Sequence, residues 1–171
     1  LARVAQGNGN LLLNIGPDGT GANPAESTRI IRQVGQWLKT HRECSFDTEL
    51  FTLDPLERGE HRNDWTLNGP LTVRGNNLYL IATSFPHERL VLTGLEAKVL
   101  GVHRLDSGPL PHEQDGDRIV VTAPGPAPDP NQPAVFRFHC DRPPVVYRTG
   151  GMRTPQGRHP RYDPLPPDIN W

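Results

Sequence analysis

Three polar side chains near the start of the chain have the types that active-site chemistry requires. Asp18 and Glu26 are carboxylates in a short stretch that also contains Asn14, and paired carboxylates can act as nucleophile and general acid–base. The local sequence explains both without catalysis, because aspartate in a Gly-Pro-Asp-Gly turn bonds nearby backbone and glutamate suits the first turn of a helix. We therefore predict no catalytic residue in this chain and keep Asn14 as the candidate ligand-binding residue.

The glycines around the apolar run Leu11–Ile15 suggest a phosphate-binding loop, but their order is wrong for one. In such loops the glycines follow the strand and open the helix, so that backbone N–H groups face the phosphates. Here Gly7 and Gly9 precede the run, and the glycines that follow it lack the G-x-G-x-x-G and G-K-[ST] spacings. The pattern argues against nucleotide binding.

The metal-ligating residue types show no metal-site spacing. The seven histidines are scattered and have no H-x-x-x-H or Cys-His pattern; they are His41, His61, His87, His103, His112, His139 and His159. Cys44 and Cys140 are far apart in sequence and form neither a disulfide framework nor a zinc spacing, which leaves open whether they pair. We predict no metal and no cofactor.

Composition narrows the class of protein further. The 171 residues include 19 prolines and 17 glycines and are only 35% hydrophobic, which favours short strands and many turns over a helical bundle. A net charge of -1 and a pI near 6.7 argue against a nucleic-acid partner. No run approaches the ~20 apolar residues that a bilayer span needs, so we expect no membrane partner.

The first forty residues read as one β/α unit. Leu11–Ile15 resembles a strand buried on both faces of a parallel sheet, and Asn23, Pro24 and Glu26 predict a helix with Asn23 as N-cap. One stripe of that helix is apolar, namely Ile30, Ile31, Val34, Trp37 and Leu38. One strand and one helix cannot bury these surfaces alone, so we predict that neighbouring β/α units of a parallel barrel are missing.

The remaining residues predict a β-sandwich. Residues 71–85 read as a hairpin that turns at Gly75, Asn76 and Asn77. Further strand-like segments follow at nearly even spacing: 89–95, 96–105, 117–124 and 133–140. We predict a mainly β protein, in which an antiparallel β-sandwich is preceded by a single β/α unit from the end of a (β/α)8-type barrel.

This interpretation divides the chain into four segments. Residues 1–42 form the terminal β/α unit, and residues 43–70 form a polar linker with one short strand at Glu49–Leu53. Residues 71–147 form the sandwich, and residues 148–171 form an extended tail rich in proline and arginine.

The combination of motifs resembles a known family. The segment GNGNLLLNIGPDGTG, followed by VGQWL at Val34–Leu38, resembles the end of the catalytic barrel in glycoside hydrolase family 29, the α-L-fucosidases. That family's pattern is close to G-G-N-L-L-L-N-[IV]-G-P-x-x-D-G, then a helix ending in G-x-W-L. LTVRGNNLYLIATSFP and LTGLEAKVLGVHRL resemble the family's sandwich strands. Asn8 departs from the usual glycine, and only Glu43 corresponds to the N-G-E-x-I-Y segment that commonly follows the helix.

The resemblance implies retaining hydrolysis of terminal α-L-fucose without a metal. It places the nucleophile, the acid–base carboxyl and the fucose-binding histidines on earlier barrel strands, so a fucosylated glycan would bind through the missing barrel. Asn14, at the carboxyl end of the predicted strand, would help shape the sugar pocket; the other interpretation is an amide satisfied by backbone in a buried loop. The family also suggests an extracellular, periplasmic or lysosomal location.

The implied partners are a fucosylated glycan and the remainder of the barrel. A second hypothesis treats the chain as a stand-alone carbohydrate-binding or protein-interaction sandwich. In that case Trp65 or Trp171, which lie in polar surroundings, would be the surfaces on which a sugar stacks.

Overall fold

The computed structural model describes residues 1–6, 9–49, 69–83, 85, 88–92, 95–122, 124–125 and 132–144. Two helices, a 3₁₀ turn and eight strands lie in these ranges. The helices are α1 (Ala2–Gln6) and α2 (Ala25–His41), and the 3₁₀ turn is Arg42–Cys44. The strands are β1 (Leu71–Arg74), β2 (Asn77–Ala82), β3 (Arg89–Leu92), β4 (Val99–Arg104), β5 (Gly108–Leu110), β6 (His112–Asp115), β7 (Arg118–Thr122) and β8 (Ala134–Cys140).

The strands form two antiparallel sheets that face each other. One has the order β1-β2-β8-β4-β5 and the other the order β3-β7-β6. β1 and β2 are joined at Gly75 and Asn76, where Gly75 has a φ of 55° that glycine adopts without strain. The structure confirms the predicted sandwich and its first hairpin, with Asn77 already inside β2.

The main core lies between the two sheets. Alternate residues of β2 and β8 point into it, including Leu78, Leu80, Phe136 and Phe138, and Leu90 and Val121 meet them from the smaller sheet. All six side chains are at most 1% exposed. Both sheets thus contribute apolar side chains to one dry interior.

The outer face of the five-stranded sheet is also covered. Tyr79, Ile81 and Val135 form a second cluster with Cys44, and Trp37 of α2 packs against it. β2 is therefore buried on both faces from Leu78 to Ala82. The sequence predicted alternation in β2 but did not reveal that a helix would cover its outer side.

Helix α2 confirms the predicted helix but corrects how it starts. Pro24, with φ -54° and ψ 136°, is the N-cap residue, and no side chain caps the helix. Asn23 is therefore not the N-cap that the sequence predicted. Glu26 pairs with Arg29, whose Nε donates to Glu26 Oε2 at 2.9 Å. The extended backbone of Pro24 moves the helix start one residue later, which leaves Glu26 facing a neighbour one turn along.

The predicted strand Leu11–Ile15 is not formed: the described residues from 9 to 18 carry no regular secondary structure. Leu12 is 92% exposed. The physical reason is that a parallel strand needs a neighbouring strand for its backbone hydrogen bonds, and no described strand lies beside this segment.

Two strands, β5 and β6, were not predicted from the sequence. β5 and β6 have half-buried or exposed residues and no apolar run, so periodicity gave no signal. A tertiary contact joins β6 to the larger sheet, because Gln114 Oε1 accepts from Val99 N at 2.8 Å while its Nε2 donates to Ala97 O at 3.0 Å. Of the predicted strand Glu49–Leu53, Glu49 forms one bridge with Val73, and residues 50–53 lie outside the described residues.

Candidate functional site

Large apolar side chains are exposed in two stretches of the first 34 residues, the segment Leu11–Leu13 and helix α2. We call these residues together the apolar face, and they are Leu11, Leu12, Leu13, Ile30 and Val34. These side chains are 48%, 92%, 59%, 47% and 38% exposed, respectively. A side chain of this size left in water forgoes roughly 1.5–3 kcal/mol of burial free energy. A run of neighbouring apolar side chains left in water indicates a surface that another protein segment covers.

Part of the apolar face opens onto a groove. The groove has a volume of about 330 Å³, and Ile30, Val34 and Trp37 of α2 line one side of it. Ile81 and Pro133 line the sheet side. The side chains that line it are uncharged and mostly apolar, so the groove suits apolar packing.

The end of α2 is attached to the sandwich by polar contacts. Trp37 Nε1 donates to Pro133 O at 2.9 Å, and Thr72 Oγ1 donates to Cys44 O at 2.7 Å. Tyr79 OH donates to Glu43 Oε2 at 3.1 Å. Burial raises the pKa of Tyr79, and the negative charge of Glu43 raises it further. The phenol therefore stays protonated and remains a donor to Glu43.

His41 also belongs to this attachment, and the sequence did not predict that role. Its ring stacks on Trp37 with centroids 4.6 Å apart, and its Nδ1 lies 3.0 Å from Trp37 O. It is only 6% exposed. Nothing in the sequence distinguished it from the other scattered histidines.

The candidate ligand-binding residue Asn14 is exposed. It lies beside Leu13 in the segment without regular structure, so the interpretation as an amide in a buried loop does not describe this chain. Its role at a sugar pocket stays a prediction, since the described residues place no other candidate site residue beside it.

Asp18 confirms the turn interpretation. Its Oδ1 accepts from Thr20 N at 2.8 Å, from Thr20 Oγ1 at 2.6 Å and from Ala22 N at 3.0 Å. These hydrogen bonds, led by that of the Thr20 hydroxyl, lower the pKa of Asp18. A carboxylate held this way stabilises its own loop and is a weak base.

Cys44 and Cys140 are both buried and unpaired. They lie on opposite faces of the five-stranded sheet, since Cys44 belongs to the outer cluster and Cys140 to the inner core. Burial raises the pKa of each thiol to about 11, which keeps both unreactive at neutral pH. Within the described ranges, no group of three or more His, Cys, Asp or Glu residues is placed to hold a metal ion. His61, His87 and His159 lie outside those ranges.

The described helices include none long and apolar enough to span a lipid bilayer. Trp37, which the sequence placed on the apolar stripe of α2, packs against the second cluster on the outer face of the larger sheet. Trp65 and Trp171, the predicted stacking residues, lie outside the described residues.

Comparison with known proteins supports the resemblance in both parts of the chain. The family model for alpha-L-fucosidase matches residues 1–43. An α-L-fucosidase from Vibrio sp. strain EJY3 is 26% identical with a TM-score of 0.67, over 85% of this chain and 25% of that one. Isoenzyme 1 from Paenibacillus thiaminolyticus is 21% identical with a TM-score of 0.67, over 82% of this chain and 32% of that one.

A third structure, the Thermotoga maritima α-fucosidase in complex with fucose, is 21% identical with a TM-score of 0.57, over 80% of this chain and 32% of that one. No curated protein sequence matches the chain significantly. The chain thus spans about a quarter to a third of the length of the fucosidases it matches.

These findings show a fold class and a similarity to one family. The chain is a mainly β protein with the fold found in part of a glycoside hydrolase. It is similar to the α-L-fucosidases of glycoside hydrolase family 29, both in sequence over its first 43 residues and in fold over most of its length.

Proposed function

We propose that the chain is the C-terminal part of a retaining α-L-fucosidase-like hydrolase that acts on terminal α-L-fucose. Residues 1–42 are the closing β/α unit of its barrel, and residues 43–70 are the linker. Residues 71–147 are an accessory sandwich, and residues 148–171 are a tail. By itself the chain is not catalytic, and its fucosylated substrate binds through barrel units outside it.

The observation that carries this proposal is the apolar face. Its leucines lie within the 43 residues that match the fucosidase family model, and Leu12 is almost fully exposed. A segment that is apolar on both faces suits the interior of a parallel barrel, where strands lie on both sides of it and helices cover it. The remainder of the barrel is therefore the partner that fits this surface.

The carboxylates of the first segment support the non-catalytic part of the proposal. A retaining glycosidase needs two carboxyl groups roughly 5–5.5 Å apart across a sugar. Asp18 is occupied by three hydrogen bonds within its turn, and Glu26 is paired with Arg29 on the helix surface. Each has a local structural partner, so neither is presented to a substrate.

Fragment complementation tests the proposal. The Vibrio sp. strain EJY3 enzyme, truncated to remove the quarter that this chain matches, is co-expressed with the chain and assayed on a chromogenic α-L-fucoside. We expect turnover with both pieces and none with either alone. The Leu12→Asp variant should abolish complementation, whereas Leu100→Asp, a matched change at a 54% exposed leucine of the sandwich, should preserve it.

Two outcomes would contradict the proposal. Turnover of the fucoside by the 171-residue chain alone would show that its own carboxylates are catalytic. Complementation that survives Leu12→Asp would show that the apolar face does not contact the barrel.

The alternative, a stand-alone carbohydrate-binding module, has no support among the described aromatic residues. Phe46 is exposed, but the guanidinium of Arg42 lies 4.6 Å from its ring centre and occupies one side of it. Titration of the chain with fucosylated oligosaccharides decides between the two, because saturable binding that is lost in Trp65→Ala would favour the module.

A further inference from the structure

One carboxylate joins the end of α2 to two strands of the larger sheet. Glu43 lies in the 3₁₀ turn that follows α2, and its Oε2 accepts from Tyr79 OH at 3.1 Å. The same oxygen lies 3.6 Å from Arg137 Nη1. Tyr79 belongs to β2 and Arg137 to β8, and the two residues are directly opposite each other in the register. A single oxygen is thus held by two neighbouring strands.

The surroundings of Glu43 strengthen these contacts. Tyr79 is 1% exposed, and the side chains of Glu43 and Arg137 are only 35% and 31% exposed. Partial burial reduces solvent screening, so this arrangement is stronger than a fully exposed pair. The adjacent residue adds a backbone attachment, because Cys44 O accepts from Thr72 Oγ1 at 2.7 Å.

A second attachment lies about one and a half turns earlier in the chain. Trp37 Nε1 donates to Pro133 O just before β8 begins. Apolar packing of Trp37 on Ile81 and Val135 resists separation but has little directional preference. Hydrogen bonds have defined geometry. The bonds made by Trp37 and Glu43, at different points along the helix and its terminal turn, therefore fix the direction and rotation of α2 relative to the sheet.

We propose that the sandwich positions α2. Its outer face forms a docking surface for α2, which we call the seat, and Glu43 holds the turn at the end of α2 against it. The seat consists of Thr72, Tyr79, Ile81, Pro133, Val135 and Arg137. In a longer enzyme it would fix the helix that closes the barrel, a role that rests on the proposed function. The attachment of α2 itself is a property of this chain.

Amide hydrogen exchange of the whole chain, followed by NMR, tests this inference. In Glu43→Gln the ion pair with Arg137 is lost while an acceptor for Tyr79 remains, and in Glu43→Ala both contacts are lost. We expect the amides of Trp37–His41 to exchange about tenfold faster in Glu43→Ala, with a smaller increase in Glu43→Gln. Exchange in β3 and β7 should stay unchanged in both variants.

Glu26→Gln is the matched control, because it removes a carboxylate of α2 that pairs with Arg29 at the exposed surface. It should change exchange at Trp37–His41 by less than about twofold. Tyr79→Phe should reproduce part of the Glu43→Ala effect, and the double variant should add little to it.

Three results would overturn the inference: unchanged exchange at Trp37–His41 in Glu43→Ala, an equal increase in Glu26→Gln, or an equal increase throughout both sheets. These measurements need no enzymatic activity. Failure of complementation with normal positioning of α2 would therefore affect the proposed function alone.

Discussion

The sandwich and the first 43 residues differ in how much of their apolar surface is buried. In the sandwich two sheets close over one interior, and Phe136 and Phe138 are fully buried. In the first segment Ala2 of α1 and Trp37 of α2 pack against the outer face of the larger sheet, while Leu12 and Ile30 remain exposed. Among the described residues, the sandwich therefore buries its apolar side chains, whereas the first segment leaves part of its apolar surface exposed.

The sharpest test of this contrast compares truncation of one large side chain in each region. Phe136→Ala should lower the free energy of unfolding by about 3–5 kcal/mol, because it leaves a cavity in a closed core. Leu12→Ala should change it by less than about 0.5 kcal/mol, because the side chain is in water. Urea denaturation of both variants measures the two values. Similar losses in both variants would mean that the leucine segment is packed in solution.

The pH dependence of stability provides the next largest effect. The thiols of Cys44 and Cys140 have pKa values raised from 9.0 to about 11 by burial, so folding favours their protonated form. Their contribution is fully present below pH 9.0 and is lost as the pH rises through about 11. We expect a loss on the order of 2 kcal/mol for each thiol over this window.

Urea denaturation at several pH values between 8 and 11 checks this. The Cys44→Ala/Cys140→Ala variant should show a smaller loss across the same window. An equal loss in the variant would assign the effect to other groups, such as Tyr79, whose pKa is also raised by burial.

The attachment between the two regions predicts an intermediate effect. Trp37→Phe keeps an aromatic ring beside His41 but removes the donor to Pro133 O. The free energy of unfolding should fall by about 1 kcal/mol, the usual net value of one hydrogen bond. Exchange of the α2 amides should rise while β3 and β7 keep their protection. A uniform rise in both regions would show that α2 and the sandwich open together.

The smallest effect is expected in the turn at the predicted barrel rim. Asp18→Asn weakens the bonds from Thr20 and Ala22 to Asp18 Oδ1, and the turn should become more mobile without a measurable change in global stability. Because hydrogen bonding lowers the pKa of Asp18, the order of the wild-type turn should persist through pH 5 and be lost only as the pH falls through that lowered value. NMR relaxation of residues 18–22 measures this, and a change that extends into α2 would contradict it.

Much of the fold could be predicted because local patterns carried it. Strand alternation predicted β1, β2, β3, β4, β7 and β8, and the 3.6-residue period predicted α2. The same patterns did not predict β5 and β6, because neither strand has an apolar run. These strands are recognised only by their pairing with β4 and β7. The patterns were misleading for Leu11–Ile15. Its apolar residues predicted a buried parallel strand, but no strand that could pair with it lies among the described residues.

The candidate site divides in the same way. Asp18 was interpreted correctly because a turn aspartate bonds residues two to four positions away, a distance that sequence can judge. Glu43 could only be flagged through its correspondence with a family motif, since its partners Tyr79 and Arg137 lie far along the chain. The burial of His41 was likewise not indicated by the sequence.

The sequence by itself determined which residues are apolar, with what period, and where the chain turns. These features were enough to predict the sandwich, the helix and the similarity to fucosidases. Only the tertiary structure decided which apolar surfaces find a partner within the chain. The physical reason is that periodicity fixes which face of an element avoids water, whereas burial depends on a second surface that is brought to it by the fold.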